Sequence, residues 1–507
     1  MSFNRKKNKI DTSPISRNNY LKGKVNPNFV ISTSPEKLRK WLINNVEFTT
    51  PLAYKEAFYA VINPTDNCSV GCAHCLYSSY KLGNPQIDKK TMDSFIRIAN
   101  QAKIKMIVFS GGGEPMENLP QMLRAIKNIE PLRDVIIITS GHFAGTPKDT
   151  TEKLDKIFFA ANKKRRKKGF SRVIITLRIS RDNSQCKVIP LENISNILNY
   201  TIVKNAPQMF RILIRTLLDY GENQDLELAS KLNFKLLPLK NKKKIYKKLS
   251  IIDGMPTRWL TKNNSDIEIP VIYKPIYLMG RATKKIPQSV YSLWKIVESE
   301  ERSGTPFNLC LRGPKGEGHN YYETIFKGYE YWKRNIKKSV FNTPKSKRRK
   351  RLALYVPASG NILINNGAPD IAPHLNKLKN WQQFLKIVSK DPISRLIIKK
   401  GPFYIKNIAQ EVEKELTNKI EKANFVFAIS SLSLESPALR LYISLRILNS
   451  YFIDRKIIVN NPRLKKLLNK NKKFYMNIYQ KQANHLKIEK AKKLVSDPIT
   501  GDAQSLF

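Results

Sequence analysis

Between about Ala57 and Ala282 the chain alternates short apolar runs with longer stretches whose apolar positions recur at helical spacing. The runs "FYAVIN" (58–63), "KMIVFSGGG" (105–113), "DVIIITSG" (134–141), "SRVIITLRIS" (171–180), "MFRILIRTLL" (209–218), "FKLLPL" (234–239) and "VIYKPIYL" (271–278) predict strands. Between the early ones, "TMDSFIRIANQAK" (91–103) and "LPQMLRAIKNI" (119–129) predict helices. The strand runs are mostly continuous in apolar residues, the pattern of strands covered on both faces and therefore of parallel pairing. Right-handed crossovers wind such units into a barrel or an open doubly wound sheet.

Outside this region the rhythm changes. Residues 1–55 are polar and end in a proline-marked turn at Thr50-Pro51. Beyond about residue 290 the alternation stops, and the basic, proline-containing stretch Asn342–Lys350 reads as a linker. "RLALYVPASGNILINNG" (351–367) predicts a hairpin turned at Ser359-Gly360, and the remainder of the chain is mainly helical in pattern. The expected division is an N-terminal extension (1–56), the alternating domain (57–290), a basic linker (291–350) and a C-terminal, mainly helical domain opened by the hairpin (351–507). There is no internal repeat.

Composition narrows the class. A chain of 507 residues exceeds one ordinary domain, and 41% apolar residues support a sizeable core. The basic N-terminus lacks the apolar stretch of a signal peptide, and no run of about 18 uncharged apolar residues predicts a membrane span. The most apolar late segment (425–452) carries Glu435, Arg440 and Arg446 and reads as a core helix. Five cysteines without pairing-type spacing point away from a disulfide framework and toward a reducing cytoplasm. The net charge of +51 has two readings. It could serve a polyanion partner, or be a solvated, lysine-rich surface. The runs at 162–170, 239–248 and 344–352 are scattered and lack a regular pattern of stacking aromatics, so the solvated surface is the reading adopted.

Three of the five cysteines, Cys68, Cys72 and Cys75, fall within eight residues in "NPTDNCSVGCAHCLYSSY". Thiolates so close, on a loop leaving a strand, can wrap one face of a metal centre. Zinc is the competitor, but closed structural zinc sites use four ligands, usually as two paired motifs, and no second pair exists here. His74 does not easily serve as the fourth ligand, because a side chain adjacent to Cys75 is expected to point elsewhere. Three ligands imply an open site, and an iron–sulfur cluster with one free iron fits that count.

The C-x3-C-x2-C spacing after a first strand resembles the signature of the radical S-adenosylmethionine (radical SAM) enzymes. That resemblance implies an α/β fold, a partial (β/α)6-type barrel with a mainly helical C-terminal extension. It also implies one [4Fe–4S] cluster on Cys68, Cys72 and Cys75, with SAM chelating the fourth iron. The position before the third cysteine, usually aromatic or similar in the family, is His74. "VFSGGGEP" is similar to the family's Gly-Gly-Glu-Pro element, which would bring Gly112, Gly113 and Glu114 to SAM. Looser matches add Ser140 in "IITSGHF", where asparagine is common, Ser180 and with it Arg178 in "LRISRDN", and Arg215 as partner of the SAM carboxylate. "YLMGRATK" (277–284) resembles a Gly-Arg-Ala turn found in members that act on peptides or small molecules.

Such an enzyme takes an electron from a reductase, flavodoxin or ferredoxin, cleaves SAM to a 5′-deoxyadenosyl radical and abstracts hydrogen from its substrate. The catalytic side chains toward that substrate stay unassigned. Only Cys310 follows the barrel, so no auxiliary clusters are expected. Three functions stay open: modification of a peptide or small molecule, as in natural-product maturation; modification of RNA or tRNA through the basic surface; and cluster binding without catalysis.

Overall fold

The computed structural model describes residues 34–52, 54, 56–72, 75, 79, 85–181, 188–203, 210–217, 224–237, 257–261, 268–274, 351–364, 371–400, 402–413, 436–469 and 472–496. It opens with helix α1 (Pro35–Asn44) and a short strand β1 (Val46–Phe48), then enters the sheet at β2 (Glu56–Ile62). The expected strands follow as β3 (Met106–Phe109), β4 (Asp134–Thr139), β5 (Ile174–Ser180) and β6 (Phe210–Leu217). Helices α2 (Lys89–Ala102), α3 (Leu119–Asn128), α4 (Pro147–Phe159) and α5 (Leu191–Val203) fill the crossovers, and α6 (Gln224–Lys231) follows β6.

The sheet corrects one strand assignment. The run 234–239 was expected in the parallel series, but only β7 (Lys235–Leu237) forms, on the far edge. It pairs antiparallel with β8 (Thr257–Thr261), which pairs antiparallel with β9 (Glu268–Lys274). The sixth parallel position belongs to β9, which pairs with β6. Strands β2, β3, β4, β5, β6 and β9 thus run parallel in spatial order, as a partial (β/α)6 arrangement requires.

At the β2 edge the sheet continues into the C-terminal half. Strand β10 (Arg351–Val356) pairs parallel with β2, from Arg351 opposite Glu56 to Val356 opposite Ile62, and β11 (Leu363–Ile364) folds back on it. The hairpin turns where its sequence predicts, with Gly360 at a φ of 78°. The hairpin expected to open a separate domain therefore lies in the barrel sheet. The segment after it lies along α2: Arg97 donates to the Leu378 carbonyl at 2.8 Å, and the Trp381 amide donates to Gln101 at 2.7 Å.

Helix α2 shows how sequence produces this layer. Asp88 accepts from the Thr91 amide at 2.7 Å, capping the start, and Lys103 ends it in the left-handed conformation. Its apolar positions Met92, Phe95, Ile98, Ala99 and Ala102 are fully buried in one core against β2 and β3. Each large side chain so buried contributes about 1.5–3 kcal/mol.

Helix α7 (Trp381–Val388) belongs to the barrel core, and a second core gathers α8 (Pro392–Lys400), α9 (Pro402–Gln410), α10 (Pro437–Ile453), α11 (Pro462–Leu468) and α12 (Lys472–Ser496). Helix α10 is the buried element expected from its apolar sequence; it starts at Ser436, whose hydroxyl accepts from the Leu439 amide, while 425–435 lie outside the described residues. The N-terminal segment joins this core. β1 pairs with β12 (Ile457–Val459), and Leu38 and Leu42 of α1 are buried with Leu439 and Tyr442. Arg395 stacks over the Phe48 ring at 4.1 Å. Among the described residues no helix is long and apolar enough to cross a membrane.

One basic run has a structural occupation. Within 162–170, Arg165 is fully buried. Its guanidinium donates to the carbonyls of Ile126 (2.8 Å), Ile129 (2.6 Å), Glu130 (2.9 Å), Leu132 (3.1 Å) and Ser171 (2.7 Å). It satisfies the carbonyls at and beyond the end of α3, where a cation also suits the helix dipole. Burial lowers its pKa to about 10, which leaves it charged at neutral pH. Arg165→Met should therefore cost about 3 kcal/mol or more in urea unfolding, because several buried carbonyls lose their only donor group of this kind. The exposed neighbour Arg166→Ala should stay within about 0.5 kcal/mol.

Candidate active site

Parallel strands present their C-terminal ends together, and the loops leaving them make the candidate site. The register places facing side chains in rungs. Val61, Val108, Ile136 and Thr176 form one rung; Ile138, Arg178 and Leu213 share the next; Ser180 and Arg215 face each other above it, with Ser140 just past the end of β4. The face is apolar on the β2–β4 side, where Tyr59, Val61, Val108, Ile136 and Tyr355 cluster. It becomes polar and cationic toward β5 and β6. Ser140, Ser180 and Arg215, named from separate sequence matches, thus lie at neighbouring strand ends.

The cysteine loop and the glycine loop are joined along their backbones. The Ser110 amide donates to the Ile62 carbonyl at 2.9 Å, the Gly113 amide to Thr65 at 2.7 Å and the Glu114 amide to Asn67 at 2.7 Å. A Cβ on Gly112 would collide with the Asp66 side chain, and one on Gly113 with the Asn67 backbone. Neither glycine has a positive φ; what excludes a Cβ is the Asn67 backbone at Gly113 and the Asp66 side chain at Gly112. The resemblance implies that the glycines make room for SAM; the structure shows that they also leave room for the cysteine loop. The Ser79 hydroxyl adds a bond to the Gly112 carbonyl.

Glu114 ties this pair of loops to β4. It is buried, and its carboxylate accepts from the Ser140 amide at 2.8 Å, the Ser140 hydroxyl at 2.7 Å and the Met116 amide at 3.3 Å. These are charge-assisted bonds in a dry setting. Two residues read from sequence as ligand contacts are therefore bonded to each other.

Cys68, Cys72 and Cys75 are half-buried and not joined in a disulfide, and the Cys75 amide donates to the Cys72 carbonyl at 3.2 Å. Burial pushes the Cys68 thiol up; the Val70 and Gly71 amides favour its thiolate, while Glu114 and Cys75 add to the upward push. Burial also raises the Asp66 carboxyl to about 6. Among the described residues no three His, Cys, Asp or Glu side chains gather to hold a single metal ion. Three cysteine thiols on one loop are the donor set that a cluster held through three irons would use. His74, Cys186 and Cys310 lie outside the described residues, as does the 277–284 turn.

Sequence reading singled out none of Asn63, Thr65, Asn67 and Ser79. Asn63 is buried at the end of β2. With its amide oriented to satisfy its neighbours, it donates to the Ser110 carbonyl at 3.2 Å and accepts from the Gly112 amide at 3.0 Å and the Tyr355 hydroxyl at 2.8 Å. The available signal was the polar step Asn63-Pro64-Thr65-Asp66-Asn67 between an apolar strand and the first cysteine.

No protein-family model matches the chain. It is 23% identical over 185 residues to GTP 3',8-cyclase of Clostridium perfringens strain SM101, and equally so to that of strain 13. The match covers 35% of this chain and 52% of those relatives, so the chain spans about half the length of the curated relatives it matches. The relatives that the chain is similar to are radical SAM enzymes. Solved radical SAM structures give only slight likenesses. Streptococcus suis SuiB bound to S-adenosylmethionine has a TM-score of 0.28 and 12% identity, covering 68% of each chain. HydG, a maturase of the [FeFe]-hydrogenase, has a TM-score of 0.27 and 9% identity, covering 98% of this chain and 97% of its own. At those scores they carry no argument about the site of this chain.

Gly113→Ala should separate the two loops and cost more than about 3 kcal/mol in urea unfolding. Gly145→Ala, where a Cβ meets nothing within 4 Å, should stay within about 0.5 kcal/mol.

Proposed function

We propose that the protein is a radical SAM enzyme that binds one [4Fe–4S] cluster through Cys68, Cys72 and Cys75 and abstracts hydrogen from a peptide or small-molecule substrate. The observation that carries this reading is the junction of the two motifs: the cysteine loop and the Gly112-Gly113-Glu114 loop share backbone hydrogen bonds that only glycine permits. When bound, the cluster and SAM together supply a 5′-deoxyadenosyl radical. The chain's own residues bind and orient. The three thiolates hold the cluster, the glycine loop stays clamped against them, and Glu114 fixes the β4 end through Ser140. On this reading Ser180 and Arg215, which face each other at the ends of β5 and β6, would receive the polar end of SAM. Val61, Val108 and Ile136 form an apolar layer below these strand ends, which would limit quenching by water.

The substrate class rests on less. The curated relatives are named for a reaction of GTP, a small molecule, and the 277–284 turn resembles members acting on peptides or small molecules. An electron donor of the flavodoxin or ferredoxin type completes the scheme. The one described basic run argues for solvated surface over an RNA groove. It follows α4, at the strand N-termini and opposite the cysteine loop, and its central arginine is buried in a cap. The runs at 239–248 and 344–350 lie outside the described residues.

Anaerobic reconstitution should give about four irons and four sulfides per chain. Alanine at Cys68, Cys72 or Cys75 should remove the brown chromophore, and alanine at Cys186 or Cys310 should leave it. With a strong reductant the wild type should convert SAM to 5′-deoxyadenosine and methionine. Stable stoichiometric zinc with no iron uptake would overturn the assignment. Glu114→Gln should retain the iron but bind SAM about tenfold more weakly in calorimetry, as the loop loses its charged anchor on Ser140.

A further inference from the structure

The Asn63 amide is a three-way junction. It reaches Ser110 and Gly112 of the glycine loop and, on its other side, the hydroxyl of Tyr355, which lies 292 residues further along the chain. Tyr355 belongs to β10, the strand that closes the β2 edge of the barrel, and sits opposite Val61. The approach is held on the backbone as well, since the Asn63 amide N–H donates to the Val356 carbonyl at 2.8 Å. The Tyr355 ring lies within the apolar cluster of Tyr59, Val61, Val108 and Ile136, and Asn63 is only 1% exposed. An apolar ring would fill that space without a hydroxyl. What the hydroxyl adds is a donor to a buried amide whose oxygen also holds the Gly112 N–H.

We infer that Tyr355 is a positioning residue for the SAM-binding loop: through Asn63 it fixes Ser110–Gly113, so that the segment returning after residue 350 completes the cofactor site of the barrel. This rests on the proposed function, because it takes the glycine loop to be the SAM loop. A buried amide oxygen that loses one of two donors is free to reorient, and a network of this kind is worth more than its separate bonds. The bonds it loosens run from Asn63 to Ser110 and Gly112 of the glycine loop. Cofactor affinity and cluster content should therefore come apart.

The test uses the full-length protein and Tyr355→Phe, which keeps the ring. Hydrogen–deuterium exchange on the cluster-free chain should show faster exchange of the peptide containing Gly112, with the helix α2 peptide unchanged. After reconstitution the variant should hold wild-type iron and keep its thermal midpoint within about 3 °C, while calorimetry gives a SAM Kd raised about tenfold. Asn63→Ala should raise the Kd similarly, and the double variant should add little, since both remove one connection. An unchanged Kd in Tyr355→Phe beside a competent wild type overturns this inference and leaves the proposed function standing. So does a lowered midpoint with normal SAM binding, which marks the hydroxyl as a stability element only. A wild type that takes up no cluster and binds no SAM overturns the functional reading, and this inference with it.

Discussion

The strand-end site depends on how closely two backbones can approach. The loop leaving β3 lies against the loop leaving β2 at a distance that leaves no room for a Cβ at Gly112 or Gly113. The hydrogen bonds from Gly113 to Thr65 and from Glu114 to Asn67 form only at that distance. They orient the segment that carries the cysteines and set Glu114 where its carboxylate can reach Ser140. A single methyl group at the junction would move the cysteine loop relative to β4. The constraint is steric first, and the electrostatics follow from it.

Within this arrangement a buried carboxylate becomes tolerable. Removing a charge from water is expensive unless hydrogen bonds replace the solvent. Glu114 has three such bonds, from two amides and a hydroxyl, and all come from the loops it joins. Arg165 solves the same problem with the opposite sign at the other end of the barrel, where five carbonyls hold a buried guanidinium. Two charges, one per end, thus tie helix and strand termini in place. The sequence pointed to neither tie: Glu114 was read as a SAM contact, and Arg165 lay in a run read as solvated basic surface although it is buried.

The sequence was legible where the physics is local. Strands β2 to β6 appear where the apolar runs lie, because strands covered on both faces leave no polar alternation to confuse the reading. The hairpin turn at Gly360 and the start of α10 at Ser436 and Pro437 were equally open to local rules. The failures are nonlocal. The run 234–239 is as apolar as a barrel strand, yet it became an antiparallel edge because β8 and β9, two later segments, took the neighbouring positions. "TRWLT" (257–261) is too short and too polar to have predicted β8. For the site, cysteine spacing and the glycine motif named the loops, but the glycines' partner is a backbone, which no motif records. Asn63 and Tyr355 carry no signal linking them, since their meeting depends on parallel pairing between segments 292 residues apart.

That distance also shapes how the molecule can assemble. The β2–β3–β4 units fold from neighbouring segments, and α2 and α3 can cover them as soon as they are made. Strand β2 nevertheless remains an edge with unpaired backbone groups until β10 arrives, and α1 and β1 wait for α10 and β12. Exposed apolar edges of this kind invite wrong pairing. Each early segment is completed by a late one: β2 by β10 at the site, and Val46–Phe48 by Ile457–Val459 in the second core. The two halves of the chain are therefore interleaved, and the closing of the barrel edge brings with it the tyrosine hydroxyl that reaches Asn63. Native pairing of the late segments and the ordering of the glycine loop are consequently one event: an ordered site requires that the chain has folded through its C-terminal half.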